Sequence, residues 1–179
     1  MHVRLSTCRG MAVLEEGTQD FCGWIHGILL HPETGKVEGF SVGGGGREGF
    51  LSRDDVVRWG KCVWVRSVHV LGPLEDIVRL RTIAGDSRHI LGQRIRTESG
   101  RNLGKCADVQ FSTGSFELEW IFPRKLFLFW GTALPRSEII EVTSAAIIVR
   151  DPIVPKKEKI MSPKDSVRLE ELVEVPKPS

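Results

Sequence analysis

The fold is decided by two stretches of sequence that repeat each other: residues 51–66, LSRDDVVRWGKCVWVR, and residues 134–149, LPRSEIIEVTSAAIIV. They align without a gap, and the match keeps chemical type rather than identity. The aligned pairs are Leu51 and Leu134, Arg53 and Arg136, Asp55 and Glu138, Val56 and Ile139, Val57 and Ile140, and Trp64 and Ile147. An internal repeat of this kind predicts two copies of one structural unit.

Glycines extend the repeat upstream, where RGMAVLEEGTQDFCGWIHGILL lies over LGQRIRTESGRNLGKCADVQF. The paired glycines are Gly10 and Gly92, Gly17 and Gly100 with one extra residue, and Gly23 and Gly104. Glycine tolerates positive φ and close backbone contacts, so equivalent glycines indicate equivalent turns.

Short runs of Val, Ile, Phe and Trp, separated by Gly or Pro every eight to twelve residues, are typical of small β structures. In the first unit the predicted strands cover residues 11–16, 24–30, 36–42, 49–52 and 62–70. Residues 43–46, GGGG, lack the GK[ST] signal of a phosphate-binding loop and predict a hairpin tip instead. The predicted fold is mainly β: two tandem small antiparallel β-barrels joined by a short helix.

The boundaries between units follow changes in composition. We assign residues 1–71 to the first barrel, 72–88 to a helical linker, 89–151 to the second barrel and 152–179 to a tail rich in Pro and charge. In the linker, Pro73 suits a first helical position and Gly85 suits a positive-φ end, which predicts a helix of about three turns. The tail is expected to be extended or partly disordered, with one short helix starting at Ser162.

Composition excludes few functions. With 25 Lys and Arg against 23 Asp and Glu, the net charge of +2 gives no global reason to expect an anionic partner. The N-terminus lacks the apolar region of a secretory signal, and no segment reaches the roughly 18 apolar residues of a spanning helix. We therefore expect a soluble, cytoplasmic protein without a transmembrane segment.

The repeated pattern resembles the PRC-barrel family. The resemblance rests on GWIHGILLHPETGKVEGFSV and LSRDDVVRW in the first unit, and on LGQRIRTESGRNLGKCADVQF and ALPRSEIIEVTSAAIIVRD in the second. It departs from the family at His31, where the turn motif usually has Asp, and at Gly27, where the second unit has Asp108. The second unit also has STGS in place of PETG.

The resemblance implies a β-barrel that works as a non-catalytic binding module. Members include the cytoplasmic part of the photosynthetic reaction centre H subunit and the C-terminal domain of a ribosome maturation factor. The residues agree, since the histidines and carboxylates form no recognisable catalytic set. Cys22, His26 and His31 offer three metal ligands without a fourth, so we predict no metal and no cofactor.

The leading functional hypothesis is an adaptor that binds a protein partner. Its predicted docking patch is the aromatic hairpin WIFPRKLFLFW, residues 120–130, with a turn at Pro123–Lys125. Aromatic side chains and Arg anchor interfaces. The patch consists of Trp120, Phe122, Arg124, Lys125, Phe127, Phe129 and Trp130. Equally, these residues would seal the second barrel or pack it on the first.

Two alternatives stay open. A basic run predicts contact with RNA or a ribosomal component. It consists of Arg79, Arg81, Arg88, Arg94, Arg96 and Arg101. Peripheral association with a membrane or photosynthetic complex follows from the H-subunit resemblance alone. Homo-oligomerisation is a further option.

Overall fold

The computed structural model describes residues 1–44, 46–125 and 129–151, with Arg47, Arg79 and Phe129 described by their backbone alone. The predicted tail, 152–179, lies outside the described residues. The chain is mainly β and forms two sheets, which confirms the predicted class.

The first sheet has six strands in the order β5-β4-β3-β2-β7-β6. Their bounds are β2 Ala12–Glu15, β3 Phe21–Leu30, β4 Val37–Gly44, β5 Arg47–Ser52, β6 Val56–Trp59 and β7 Val63–Val65. Alternating apolar side chains explain the strands, since Val13, Ile25 and Val63 are fully buried on one face. β4 and β5 form the hairpin predicted around the glycine run. Strand β6 was not predicted from the sequence.

The second sheet has the order β11-β10-β9-β8-β14-β13, with β1 on β9 and β12 on β10. Their bounds are β1 His2–Arg4, β8 Arg94–Thr97, β9 Asn102–Ser112, β10 Leu118–Lys125, β11 Phe129–Trp130, β12 Leu134–Pro135, β13 Ile139–Val142 and β14 Ile147–Val149. This order repeats that of the first sheet strand for strand. The N-terminal strand β1 has no counterpart in the first sheet, and it was not predicted from the sequence.

Each sheet contains one parallel pair, β2 with β7 and β8 with β14, so the predicted all-antiparallel pairing is wrong at these positions. The long connections between the paired strands let the chain arrive in the same direction. Neither sheet closes into a barrel within the described residues. The end strands β5 and β6 meet at a 3₁₀ turn, Arg53–Asp55, and are consecutive along the chain rather than paired.

Strand pairing in the two units is equivalent, but two of the residue pairs that the sequence alignment predicted are wrong. Trp64 pairs with Leu14 of β2, and its counterpart Ile148 pairs with Arg96 of β8, so Trp64 corresponds to Ile148 and not Ile147. The gapless alignment fails there because the turn before β14 is one residue longer than the turn before β7.

Two of the three predicted glycine pairs are confirmed and the third is wrong. Gly10 and Gly92 both have positive φ, as do Gly23 and Gly104, which confirms these pairs. Gly100 also has positive φ, whereas the positive-φ residue in the matching turn of the first unit is Gln19 and not Gly17.

The two halves are joined through equivalent turns. The amide of Val37 donates to the carbonyl of Phe116 at 2.7 Å, and the amide of Leu118 donates to the carbonyl of Gly35 at 2.9 Å. This reciprocal pair relates the units by a local twofold arrangement. Gly35 and Phe116 occupy the same position in the two turns and both have positive φ.

One hydrophobic core serves both sheets. Phe40 of β4 contacts Phe111 of β9, with ring centroids 5.9 Å apart, and Trp59 of β6 contacts both Phe111 and Phe116. The buried cluster continues on both sides without interruption. A short helix α1, Leu5–Cys8, buries Leu5 and Cys8 in the same core.

The linker holds less helix than predicted. A 3₁₀ turn, Leu74–Asp76, is followed by the seven-residue helix α2, Val78–Ala84. Ile77 has ψ 89 and separates the two, and Gly85 ends α2 with a negative φ of −84 rather than a positive one. Among the described residues no helix has the length and apolar content needed to cross a membrane.

Candidate functional site

Three cations and a tryptophan form a row across the second sheet. Strand pairing places Arg94 opposite Lys105, Lys105 opposite Arg124, and Arg124 opposite Trp130. All four side chains are exposed. Cross-strand neighbours on one face lie close enough for long side chains to meet, so residues from β8, β9, β10 and β11 make one surface.

Local sequence explains why these side chains point outward. In β8, Arg94 and Arg96 flank the buried Ile95, as strand alternation requires. In β9, Leu103 and Ala107 are extra residues at two bulges, which set the register that brings Lys105 between the two arginines.

Glycine is required beside the row. Gly104 has φ +112, and a Cβ there would lie 2.5 Å from the carbonyl oxygen of Arg124. Only glycine lets β9 and β10 approach this closely with that backbone conformation. The contact fixes the backbone of Arg124 relative to Lys105.

Aromatic side chains continue the surface along β10. Trp120, Phe122 and Arg124 alternate with the buried Ile121 and Pro123, so they share one face. Trp130 is 57% exposed and Trp120 is 38% exposed. The Arg124 guanidinium lies 5.5 Å from the Trp130 ring centroid, which is within the range of a cation–π contact.

Phe122 supports this surface from below. It is only 7% exposed, and the guanidinium of Arg4 covers its ring at 3.8 Å from the centroid. We call the exposed surface the basic-aromatic face. It consists of Arg4, Arg94, Arg96, Lys105, Trp120, Arg124 and Trp130.

The three cations of the row form no ion pair in the described part of the chain. None of the ion pairs found there includes Arg94, Lys105 or Arg124. Glu119, the one acidic residue of β10, contacts His2 at 2.7 Å and Gln110 at 3.4 Å, and Gln110 pairs with Arg4 of β1. The positive charge of the row is therefore not offset by an ion pair among these residues.

The predicted hairpin is correct in its two strands and wrong in its turn. Pro123, Arg124 and Lys125 belong to β10, and this strand pairs antiparallel with β11. Pro123 is accommodated within the strand because it lies beside the β9 bulge. Of the predicted docking residues, Phe122 is buried, while Lys125 is exposed. Phe127 and the Phe129 side chain lie outside the described residues.

The predicted basic run separates into two groups. Arg94, Arg96 and Arg101 are exposed on the second unit, and Arg94 and Arg96 belong to the basic-aromatic face. Arg101 lies at its edge, in the turn between β8 and β9. Sequence reasoning missed Arg4 as a site residue. Lys105 lay at the end of the basic run that began at Arg79, but it was not among the predicted contacts.

Arg81 and Arg88 of the linker form contacts outside the basic-aromatic face. Arg88 pairs with Asp86 at 2.7 Å and with Glu33 at 2.8 Å, and its side-chain hydrogen bond lowers the pKa of Asp86 to about 2. Arg81 donates to the Glu75 carbonyl. The Arg79 side chain lies outside the described residues. The linker arginines described here are therefore not part of the face.

The proposed metal ligands do not converge. The Cys22 thiol is buried and donates to the Asp20 carbonyl, the exposed His26 ring contacts the Gly43 carbonyl, and the His31 ring accepts two amides of its own turn. No group of three His, Cys, Asp or Glu suited to a metal ion occurs within the described ranges.

Cys8 and Cys106 are not activated nucleophiles. Burial is the main cause that raises the pKa of the Cys8 and Cys106 thiols to about 12. A thiol is nucleophilic as its thiolate, so these two side chains stay protonated and serve as packing groups.

The same face of the first sheet has different chemistry. By strand pairing, Ala12 corresponds to Arg94, Leu14 to Arg96, Phe21 to Asn102, Trp24 to Lys105 and Gly43 to Arg124. The rings of Phe21 and Trp24 contact each other in a tilted arrangement, with centroids 4.9 Å apart, and the two residues are 42% and 44% exposed. One unit thus presents aromatic rings where the other presents cations.

Comparison with known proteins finds neither a family model nor a curated protein that matches this chain.

Proposed function

We propose that this protein is a non-catalytic RNA-binding protein that holds its ligand on the basic-aromatic face. The observation that carries the proposal is the row Arg94, Lys105 and Arg124, three cations opposite one another on neighbouring strands that form no ion pair within the described residues. Like charges directly opposite in a sheet are destabilising. A polyanion relieves that repulsion when it binds.

RNA fits this face better than an anionic metabolite does. The face is an open surface that crosses four strands rather than an enclosed cavity. Neighbouring strands lie about 4.8 Å apart, so Arg94 and Arg124 stand about 10 Å from each other along the row. A ligand that contacts the whole row needs several negative groups spaced along its length, as a nucleic-acid backbone has.

The experiment measures RNA affinity as a function of salt. A triple variant, Arg94→Ala, Lys105→Ala and Arg124→Ala, removes three cations that we expect to contact phosphate. We expect the wild type to bind a labelled oligoribonucleotide at low salt. The slope of log affinity against log salt should fall by about 2 in the variant, since each contact to a single strand contributes about 0.7.

A matched control separates the face from general charge. Lys61 and Arg66 are exposed cations of the first unit, away from the basic-aromatic face. Lys61→Ala with Arg66→Ala should leave the salt slope unchanged. Absence of RNA binding by the wild type at low salt, or an equal loss in the control, would refute the proposal.

We also infer that the chain is a tandem pair of PRC-barrel-like units. The support is the repetition of one six-strand order, with one parallel pair at the same place in each sheet. In this view each unit is an open variant of the barrel. A 3₁₀ turn in each unit connects two consecutive strands that are not paired with each other. The family's role as binding modules is consistent with the proposed function.

A protein partner is the second candidate, as the adaptor hypothesis holds. The observation that favours it is the exposed pair Phe21 and Trp24 on the first sheet, whose rings contact each other. Aromatic residues anchor protein interfaces, and a partner at this site would present an apolar surface. Partners retained by the wild type and lost from Phe21→Ser with Trp24→Ser, but kept by Trp130→Ser, would support it. Identical sets of partners would reject it.

A further inference from the structure

We propose that the basic-aromatic face selects single-stranded over duplex nucleic acid, because Trp130 stacks on an unpaired base. This inference rests on the proposed function and adds the form of the ligand. It starts from Trp130, a large apolar side chain that is 57% exposed beside three cations.

The position of Trp130 leaves its ring accessible. β11 is the end strand of the second sheet, so no further strand lies beyond it among the residues that the structure describes. On its other side, the Arg124 guanidinium lies 5.5 Å from the ring centroid. An indole held by a cation on one side and open on the other is suited to stack on a flat ligand.

The neighbouring cations define the chemistry of that ligand. Arg124 and Lys105 lie one and two strands from Trp130, so a backbone that crosses the row places a phosphate near each cation and a base near the indole. Sequence-tolerant binding of single strands combines a positive surface with aromatic stacking. The basic-aromatic face has both parts side by side.

A duplex can form the phosphate contacts but not the stacking contact. Its phosphates are available to Arg94, Lys105 and Arg124, but its bases are already stacked and paired. Trp130 would gain no base contact and would face backbone or solvent. We therefore expect the single strand to bind more tightly than a duplex of equal length.

Trp120 offers a second stacking site on the same face. It is 38% exposed and precedes Arg124 by four residues along β10, with the Arg4 guanidinium over Phe122 between them. The face thus alternates aromatic and cationic groups along β10. A bound strand of a few nucleotides would reach from Trp130 to Trp120.

The test compares a labelled 12-nucleotide oligouridylate with a 12-base-pair RNA duplex by fluorescence anisotropy at low salt. We expect the single strand to bind at least about tenfold more tightly. Trp130→Ala should weaken single-strand binding about 5- to 100-fold, the range for loss of one stacked base, and change duplex binding much less. Trp130→Phe, which keeps a stacking ring, should restore most of the affinity.

Ile140→Ala is the control. Ile140 is a large apolar side chain that is 47% exposed on β13, the end strand of the second sheet opposite to β11, and it lies outside the basic-aromatic face. Its loss should leave both affinities unchanged. An oligothymidylate of the same length distinguishes RNA from DNA as the source of the strand, and equal binding of both supports recognition without the 2′-hydroxyl.

The outcomes separate the two proposals. Equal affinity for single strand and duplex, with Trp130→Ala affecting both alike, overturns the single-strand inference and leaves RNA binding in place. If neither RNA form binds, or if polyglutamate binds more tightly than RNA, the proposed function is overturned together with the inference.

Discussion

At the scale of residues, the two units show how one backbone position can carry different chemistry. His31 and Ser112 begin equivalent turns, and each accepts two backbone amides from its own turn. The ring Nδ1 of His31 thus replaces the Asp carboxylate usual in the resembled motif. The turn survives because it needs an acceptor, not a particular residue.

We expect substitution of Asp108 to lower the free energy of unfolding through the loss of local hydrogen bonds. It is buried and accepts hydrogen bonds from the Ser6 amide at 3.1 Å and the Ser6 hydroxyl at 2.5 Å. Asp108→Ala removes the acceptor of both Ser6 donors and of the buried Val109 amide, and should lower the free energy of unfolding by about 1–3 kcal/mol. Urea denaturation measures the change.

A double-mutant cycle with Ser6→Ala tests the assignment. The two losses should not add fully, because both variants remove the hydrogen bond from the Ser6 hydroxyl to the Asp108 carboxylate. Gly27 occupies the equivalent place in the first unit, so Gly27→Ala serves as a control that does not involve Ser6. Fully additive losses would show that Asp108 stabilises the fold in some other way.

At the scale of elements, the β9–β10 pair determines whether the cation row exists. Gly104→Ala would put a Cβ 2.5 Å from the Arg124 carbonyl oxygen at a φ of +112. We expect a loss of about 1–3 kcal/mol in the free energy of unfolding from backbone strain, with weaker RNA binding because Arg124 is displaced. Thermal denaturation and anisotropy measure the two effects.

Gly114→Ala is the control for that prediction. Gly114 lies in the turn between β9 and β10, and a Cβ there would meet only the Ser112 hydroxyl, at 3.8 Å. Stability and RNA affinity should both stay near wild type. If Gly104→Ala behaves like Gly114→Ala, the close approach of the two strands is not needed for the row.

Elements also show where sequence reasoning was reliable. Strands β2, β3, β4, β5 and β7 of the first unit were predicted because short runs of Val, Ile, Phe and Trp are separated there by Gly or Pro. The linker helix is shorter than predicted because Ile77 has a non-helical ψ of 89, and within the helix Leu80 is buried while Val78 is exposed. Hydrophobic patterning in the sequence thus identifies a helix or strand more reliably than it identifies which face of that element is buried.

At the scale of the whole molecule, the two units form one cooperative structure. Phe40 and Phe111 come from different sheets and contact each other within a single buried cluster. β1 adds a further link, since it precedes the first sheet in sequence and pairs with β9 of the second. A repeat in sequence therefore does not imply two independent folding units here.

We predict a single unfolding transition that both sheets share. Phe40→Ala and Phe111→Ala should each cost about 3–5 kcal/mol, and the double variant should lose less than the sum because the two rings are in contact. Tryptophan fluorescence and far-UV circular dichroism should give coincident urea curves. Two separate transitions, with each variant shifting only one of them, would contradict a shared core.

The sequence by itself determined the repeat, most of the strands and the glycine turns at Gly10, Gly23, Gly92 and Gly104. These features depend on local backbone preference and on alternation along a strand. The tertiary structure alone decided that Arg94, Lys105, Arg124 and Trp130 become neighbours. Cross-strand contact depends on register, and the bulges at Leu103 and Ala107 set that register through packing between strands, which a linear pattern does not encode.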